Sequence, residues 1–171
     1  MSENFKKYQI PCDSIWLDIE YTDDKRYFTW NKETFPEARK MLDKLRGDGR
    51  KLVTIIDPHS KVDESYWIYK EAKERRLNVM NKESDTDYQS ECWPKESNWL
   101  DFLNKKTREY VAGLYSAVPE GSKDPENYIW NEKDVMVWND MNEPACFNQT
   151  ESTISKSTLH NFIPDDEGEE S

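Results

Sequence analysis

The sequence predicts an α/β fold in which a parallel β-sheet is covered by helices. Two observations indicate this class: three short apolar runs have the composition of strands, and segments with helical spacing lie between them. Strands that alternate with amphipathic helices are typical of parallel sheets, because each return to the same edge of the sheet needs a crossover. A third observation is that each apolar run ends in a carboxylate.

The strand candidates are residues 14–17, 51–56 and 135–138. Each is short and apolar, and none shows the strict polar alternation of a sheet with one solvated face. We therefore expect all three strands to be buried. The carboxylates that close the three segments are Asp18, Asp57 and Asp140.

Helical spacing fills the intervals between the strands. Residues 36–46 carry apolar side chains at that spacing, with Pro36 in the first turn and Gly47 just past the end. Residues 65–76 form a second candidate helix, and its basic stretch at 73–76 is interpreted as a solvated helix end.

A third helix is predicted to begin after Asn104, a residue type that commonly caps helix N-termini. The third strand begins about eighty residues after the second, so residues 57–104 are expected to contain an elaborated loop. Trp99, Tyr110 and Tyr115 are interpreted as core aromatics because of their spacing.

The composition fits one domain with an acidic end. The chain has 171 residues, a net charge of -11 and 35% hydrophobic residues, and much of its apolar volume is in aromatic rings. Residues 1–162 are predicted to form the domain, and residues 163–171 an acidic disordered tail. The acidic balance disfavours nucleic acid and anionic membranes as partners.

Targeting and metal signals are missing from the pattern. The sequence has no run of about 20 apolar residues and no apolar signal core near Met1, so a cytosolic chain, or one without its targeting signal, is expected. The three cysteines show no CxxC spacing, and His59 is one of only two histidines. We therefore expect no disulfide framework, no metal site and no cofactor.

The three aspartates allow two interpretations. An aspartate after a strand often caps the next helix or forms a turn. Catalytic and ligand-binding side chains, however, also project from the carboxyl ends of parallel strands. The segments Trp16-Leu17-Asp18 and Trp138-Asn139-Asp140 set carboxylates beside aromatic rings, which favours a carbohydrate site.

These segments resemble glycoside hydrolase family 31, and within it the neutral α-glucosidases and glucosidase II catalytic subunits. The similar segments follow in order over about four-fifths of the chain: residues 15–21, 25–30, 51–59, 92–94, 101–102 and 137–147. The resemblance implies a partial (β/α)8 TIM barrel that contains about strands two to four with their helices. It also implies a retaining α-glucosidase that cleaves terminal α-linked glucose, for instance from N-linked glycans.

The resemblance assigns roles to individual residues. Asp140 matches the catalytic nucleophile of the family. The residues that match substrate-binding positions are Asp18, Asp57, Trp93, Trp138 and Met141. Glu143 and His59 match positions that support the pocket without taking part in the chemistry.

Two departures from the family pattern stand out. The family's acid/base aspartate lies on a later strand and has no counterpart here, so the chain alone is expected to be inactive and to expose sheet edges. Lys95 occupies a place where the family usually has glycine. These departures suggest a truncated sequence and keep two alternatives open, a carbohydrate-binding remnant without activity and a fragment that does not fold.

The resemblance also implies partners and a compartment. The expected substrate is an α-glucoside or a glucosylated N-glycan. A protein like glucosidase II would also bind a non-catalytic β subunit in the lumen of the endoplasmic reticulum.

Overall fold

The computed structural model describes residues 1–161, which form two compact units. The first unit consists of residues 1–58 and 113–142, and the second of residues 59–112 and those from 143 onward. Residue 162 and the predicted disordered tail, residues 163–171, lie outside the described residues.

Residues 1–161 contain these helices and strands, in chain order: α1 (Ser2–Lys7), β1 (Ser14–Leu17), α2 (Ala38–Gly47), β2 (Lys51–Ile56), β3 (His59–Lys61), α3 (Trp67–Glu74), β4 (Met80–Asn81), β5 (Gln89–Cys92), β6 (Lys95–Trp99), α4 (Lys105–Ser116), β7 (Val135–Asn139) and β8 (Thr158–Leu159). Short 3-10 helices cover Ile19–Tyr21 and Pro125–Asn127.

The first unit contains the parallel sheet that the sequence predicts. Its strand order is β1-β2-β7, and both pairings are parallel. Helix α2 forms the crossover between β1 and β2 and buries Ala38, Leu42 and Leu45. The predicted strands at 14–17 and 51–56 are confirmed, and the third extends one residue further, to Asn139.

The two faces of this sheet differ in burial, which corrects the expectation that all three strands are buried. Leu52 and Val135 are paired in register and are both buried. Trp16, Val53 and Met136 form the next row on the opposite face. There the side chain of Trp16 is 67% exposed and that of Met136 is 44% exposed, since the described residues cover this face incompletely.

A cluster of aromatic rings forms much of the core of the first unit. Tyr21, Trp30, Tyr128 and Trp130 are all buried. The rings of Tyr21 and Trp30 have centroids 4.9 Å apart, and Trp30 stacks on Trp130 at 5.3 Å. Large rings supply much buried area each, which compensates for the low aliphatic content of the sequence.

Most of the second unit lies between β2 and β7, where an elaborated loop was expected over residues 57–104. It contains an antiparallel sheet in the order β3-β6-β5 and a small sheet formed by β4 and β8. Trp99 and Tyr110 are buried, as predicted for core aromatics. Tyr115, which belongs to the first unit, is half-buried.

Helix α4 begins as the sequence predicts. The side-chain oxygen of Asn104 accepts a hydrogen bond of 2.9 Å from the backbone N–H of Lys106, which is the geometry of an N-cap. Within residues 1–161, no helix is both long enough and apolar enough to cross a membrane.

Candidate functional site

The three predicted aspartates follow the three parallel strands of the first unit at one edge of the sheet. Ile56 pairs with Asn139, so Asp57 and Asp140 each come directly after a paired position. Asp18 comes directly after Leu17, the last paired residue of β1. Because the carboxyl ends of parallel strands meet at one edge, the fold gathers these carboxylates there.

Asp18 has a structural role at the end of β1. Its Oδ1 accepts a 2.8 Å hydrogen bond from the backbone N–H of Ile19, and the residue is the N-cap of the 3-10 helix Ile19–Tyr21. The capping interpretation of an aspartate after a strand therefore holds for this oxygen. The residue is exposed, so the cap holds a solvent-accessible carboxylate in a fixed orientation at the edge of the sheet.

Asp57 is buried, and the hydroxyl of Tyr27 donates a hydrogen bond to its Oδ2. Tyr27 is itself buried. Sequence reasoning did not select this tyrosine as a site residue, because nothing in its spacing indicates contact with a residue thirty positions away. The only available signal was its place in the segment 25–30 that resembles the family.

A tight turn follows β7 at Asp140. Met141 has a φ of 57°, which is the left-handed region that non-glycine residues seldom occupy. The Asn142 side-chain amide donates a 2.5 Å hydrogen bond to the backbone carbonyl of Asp140. The acceptor of this bond is the backbone carbonyl of Asp140 and not its carboxylate. The side chain of Asp140 is half-buried at the carboxyl end of β7.

Two tryptophans stack beside these carboxylates. The rings of Trp16 and Trp138 have centroids 5.3 Å apart and planes inclined by 24°. Residues two positions apart on a strand share a face, so Asp18 and Asp140 continue the rows that Trp16 and Trp138 begin. Trp16 was not selected as a site residue from the sequence, although it stands two residues before Asp18.

Trp93 belongs to the second unit. It lies in the turn between β5 and β6, is 46% exposed and contacts Phe147 edge to face at 5.0 Å. Lys95 follows that turn with a φ of 78°. The position where the family usually has glycine therefore has the backbone conformation that glycine adopts most easily.

His59 and Glu143 also belong to the second unit, and they differ in environment. His59 is buried beside Trp99, with ring centroids 5.9 Å apart. Burial lowers the pKa of His59 to about 3, so its imidazole is neutral at physiological pH. Glu143 is exposed, and the hydroxyl of Thr153 donates a 3.4 Å hydrogen bond to its backbone carbonyl.

The site residues predicted from the sequence thus divide between the two units. The first unit gathers Asp18, Asp57, Trp138, Asp140 and Met141 at one sheet edge. The second unit contains His59, Trp93 and Glu143. In the part of the chain that the structure describes, no three His, Cys, Asp or Glu side chains are grouped as metal ligands.

Comparison with known proteins gives a consistent result. The model of the glycosyl hydrolases family 31 TIM-barrel domain matches residues 1–169. The chain is 43% identical over 157 residues to neutral alpha-glucosidase C from Macaca fascicularis, which covers 91% of this chain and 19% of that protein.

Two solved structures are similar to the fold. The glucosidase II alpha subunit in its alpha3-Glc2-bound form matches with a TM-score of 0.82 and 40% identity, over 92% of this chain and 16% of that one. A heterodimeric complex of ER glucosidase II, formed by the catalytic subunit and the binding domain of the regulatory subunit, matches with a TM-score of 0.81, 40% identity and the same coverage.

The chain spans less than a fifth of the length of these relatives. The family model nevertheless covers nearly all of it, and the identity is well above the level at which only a fold is shared. The chain belongs to glycosyl hydrolase family 31 and represents part of its TIM-barrel domain.

Proposed function

We propose that this chain carries the nucleophile half of a retaining α-glucosidase site, with Asp140 as the nucleophile. The observation that supports the proposal is the position of Asp140 after the third strand of a parallel sheet, at the edge that also holds Asp18 and Asp57. The matched relatives bear α-glucosidase names, which supports terminal α-linked glucose as the proposed substrate class.

The chemistry assigned to Asp140 is a displacement at the anomeric carbon. One carboxylate oxygen forms a bond to that carbon while the bond to the leaving oxygen breaks, which gives a covalent glucosyl ester. Water then opens the ester with net retention. Asp18 accepts hydrogen bonds from sugar hydroxyls, and Trp138 and Met141 line the pocket around the ring. Substrate binding by Trp93, which belongs to the second unit, stays a prediction from the resemblance.

Asp57 has a different role because it is buried beside Tyr27. We propose that this carboxylate forms a polar part of the pocket floor and accepts hydrogen bonds from the sugar or from its neighbours. His59 and Glu143 belong to the second unit, and their supporting role stays a prediction from the resemblance. The neutral imidazole of His59 fits a packing role better than a role in proton transfer.

The acid/base carboxyl of a retaining glycosidase is not assigned to any residue of this chain. Without it, hydrolysis of an ordinary glucoside loses roughly 10²–10⁴-fold in rate. We therefore propose that the chain alone does not turn over such substrates. In barrel terms, β1, β2 and β7 correspond to strands two, three and four of the eight.

The longer protein that this segment represents is proposed to act on glucosylated N-linked glycans. A non-catalytic regulatory subunit is the proposed partner, as in the heterodimeric glucosidase II complex that matches this fold. The endoplasmic reticulum is the proposed compartment.

The test uses α-glucosyl fluoride, whose leaving group departs without protonation. Fluoride release by the purified 171-residue chain is followed with an ion-selective electrode. We expect a burst of up to one fluoride per folded chain, no hydrolysis of maltose, and loss of the burst in Asp140→Asn.

The control is Asp13→Asn, which changes an exposed aspartate just before β1 and should keep the burst. Thermal melts followed by circular dichroism show whether each variant is folded. A burst that survives in Asp140→Asn, or no burst from a chain that melts cooperatively, would exclude the assignment.

A further inference from the structure

A cavity in the second unit lies apart from the residues assigned to the α-glucosidase chemistry. Its volume is about 620 Å³, which is within the range of about 300–1,000 Å³ that is typical of small-molecule sites. Helix α3 and the segment from β4 to β5 contribute most of the lining. The lining residues are Tyr69, Lys73, Arg76, Met80, Asn81, Asp85, Thr86, Asp87 and Gln89.

Two side-chain amides hold the carboxylate of Asp87 in place. The side-chain amides of Asn78 and Asn98 donate hydrogen bonds of 2.8 Å and 3.1 Å to the same oxygen, Oδ2. Both asparagines are at most 1% exposed, so the carboxylate rests on fixed donors. Burial raises the pKa of Asp87, and these two hydrogen bonds oppose that rise.

The second oxygen of Asp87 is the one available to a ligand. Among residues 1–161, no donor contacts its Oδ1. The preorganised support from Asn78 and Asn98 lets this oxygen accept a hydrogen bond without losing much side-chain freedom, which lowers the cost of binding.

The other polar groups of the cavity include donors and acceptors. Arg76 donates to Asp85 at 2.5 Å. The amide nitrogen of Asn81 donates to the hydroxyl of Thr86 at 3.0 Å and to the backbone carbonyl of Asp87 at 3.2 Å, so its amide oxygen is the atom offered to a ligand. Gln89 is exposed and offers both a donor and an acceptor. These are the side-chain types that pair with vicinal hydroxyl groups.

The charge of the lining decides which ligand class fits. The lining contains two cations, Lys73 and Arg76, and two carboxylates, Asp85 and Asp87, so its formal charges cancel. Arg76 forms an ion pair with Asp85 at 2.5 Å, and Lys73 forms one at 2.9 Å with Glu64, which is outside the lining. A phosphate or sulfate would meet the carboxylates, and a metal cation would meet Lys73 and Arg76. A neutral ligand with many hydroxyl groups avoids both of these like-charge repulsions.

We propose that this cavity is a second carbohydrate-binding site, which takes a neutral sugar unit through the Asp87 carboxylate and the Asn81 and Gln89 amides. The inference goes beyond the proposed α-glucosidase function, because it requires neither Asp140 nor hydrolysis. It rests on that function only for the choice of an α-linked glucose disaccharide as the first probe.

The experiment is a titration of the isotope-labelled 171-residue chain with nigerose, the α1,3-linked glucose disaccharide, followed by NMR. We expect the side-chain amide signals of Asn81 and Gln89 to shift with sugar concentration. Asp87→Asn should weaken the affinity about tenfold, since it removes one charge-assisted hydrogen bond. Gln89→Ala, a change at an exposed residue, should weaken it by a similar factor.

Two further variants separate this proposal from the proposed function. Gln9→Ala is the matched control for Gln89→Ala, because Gln9 is exposed and lies in the first unit. Asp140→Asn tests the sheet edge and should leave the affinity at the cavity unchanged. The amide spectrum of each variant shows that it is folded, and Gln89→Ala keeps the test decisive if Asp87→Asn unfolds.

Three results would overturn the proposal, and they differ in what they say about Asp140. Affinity that is unchanged in both Asp87→Asn and Gln89→Ala excludes the cavity. Binding that disappears only in Asp140→Asn assigns the sugar to the sheet edge and leaves the proposed function standing. A folded chain that shows no shift with nigerose excludes the cavity site, and the assignment of Asp140 is then decided by the fluoride test alone.

Discussion

Most of the proposed chemistry depends on single residues, and only some of them could be identified from the sequence. Asp18, Asp57 and Asp140 could be found because each directly follows a recognisable strand. Tyr27 could not, because its contact with Asp57 depends on the path of a loop that has no periodic pattern. Local pattern thus predicts which residues stand at a strand end, and only the fold shows which partner holds them.

Tyr27→Phe tests that buried contact. The change removes the hydroxyl that donates to Asp57 and leaves a buried carboxylate with one donor fewer. We expect the free energy of unfolding to fall by about 1–3 kcal/mol, measured by urea denaturation. Tyr8→Phe is the control, because Tyr8 is 63% exposed and its loss of a hydroxyl should cost little. Equal effects of the two changes would contradict the role of Tyr27.

Lys95→Gly should stabilise the chain. Lys95 has a φ of 78°, which costs a residue with a Cβ about 1–2 kcal/mol, and glycine avoids most of this cost despite its greater freedom when unfolded. We expect a gain of about 1 kcal/mol in urea denaturation. Glu96→Gly, at the next position in β6, should instead destabilise by about 0.5–1 kcal/mol. A loss of stability in Lys95→Gly would refute the argument.

Among the helices and strands, the length of each element determines whether it could be predicted from the sequence. Helices α2, α3 and α4 lie where the apolar spacing places them, to within about two residues. Strands β4 and β8 have only two residues each, which is too short for a recognisable sequence pattern. They pair with each other although they lie about eighty residues apart in the sequence. The second unit could therefore be expected as an elaborated segment, while its sheets could not.

The start of α4 gives a direct test of helix capping. Asn104→Ala removes the side-chain oxygen that accepts from the N–H of Lys106. We expect a loss of about 1 kcal/mol in the free energy of unfolding, from thermal melts followed by circular dichroism. Asn104→Asp keeps an acceptor at the same place and should preserve most of the stability. If alanine and aspartate behave alike, the side chain is not acting as a cap.

For the whole molecule, two features could not be predicted from the sequence because they depend on packing between distant segments. The uneven burial of the first sheet, with Trp16 exposed and Leu52 buried, cannot be read from runs that are apolar on both faces. The division into two units was also not predicted, because residues 59–112 and the segment after 142 join through contacts such as that between Ser90 and Asn148.

The stability of the whole chain should depend on pH through His59. Its pKa is about 3 in the fold, whereas the ordinary value for histidine is 6.5, so below pH 6.5 the unfolded chain binds a proton that the folded chain does not. Stability is therefore complete above pH 6.5 and falls as the pH decreases toward 3. Between pH 7 and pH 5.5 we expect a loss of about 1 kcal/mol in urea denaturation.

Two variants check the origin of that dependence. His59→Gln cannot take up the proton and should flatten the profile between pH 7 and pH 5.5, whatever its absolute stability. Phe102→Leu alters an exposed residue that has no titratable group and should keep the slope. A slope that persists in His59→Gln would show that another group dominates.

The central claim is that Asp140 is the nucleophile of an α-glucosidase site. The measurement that tests it most directly is peptide mapping by mass spectrometry after the 171-residue chain is treated with a glucosyl fluoride that carries a second fluorine at C5. The second fluorine slows the opening of the glucosyl ester, so the ester accumulates. We predict one sugar per folded chain, attached to the side chain of Asp140 and missing from Asp140→Asn. Attachment to Asp18 or Asp57 instead, or a label that persists in Asp140→Asn, would contradict the account.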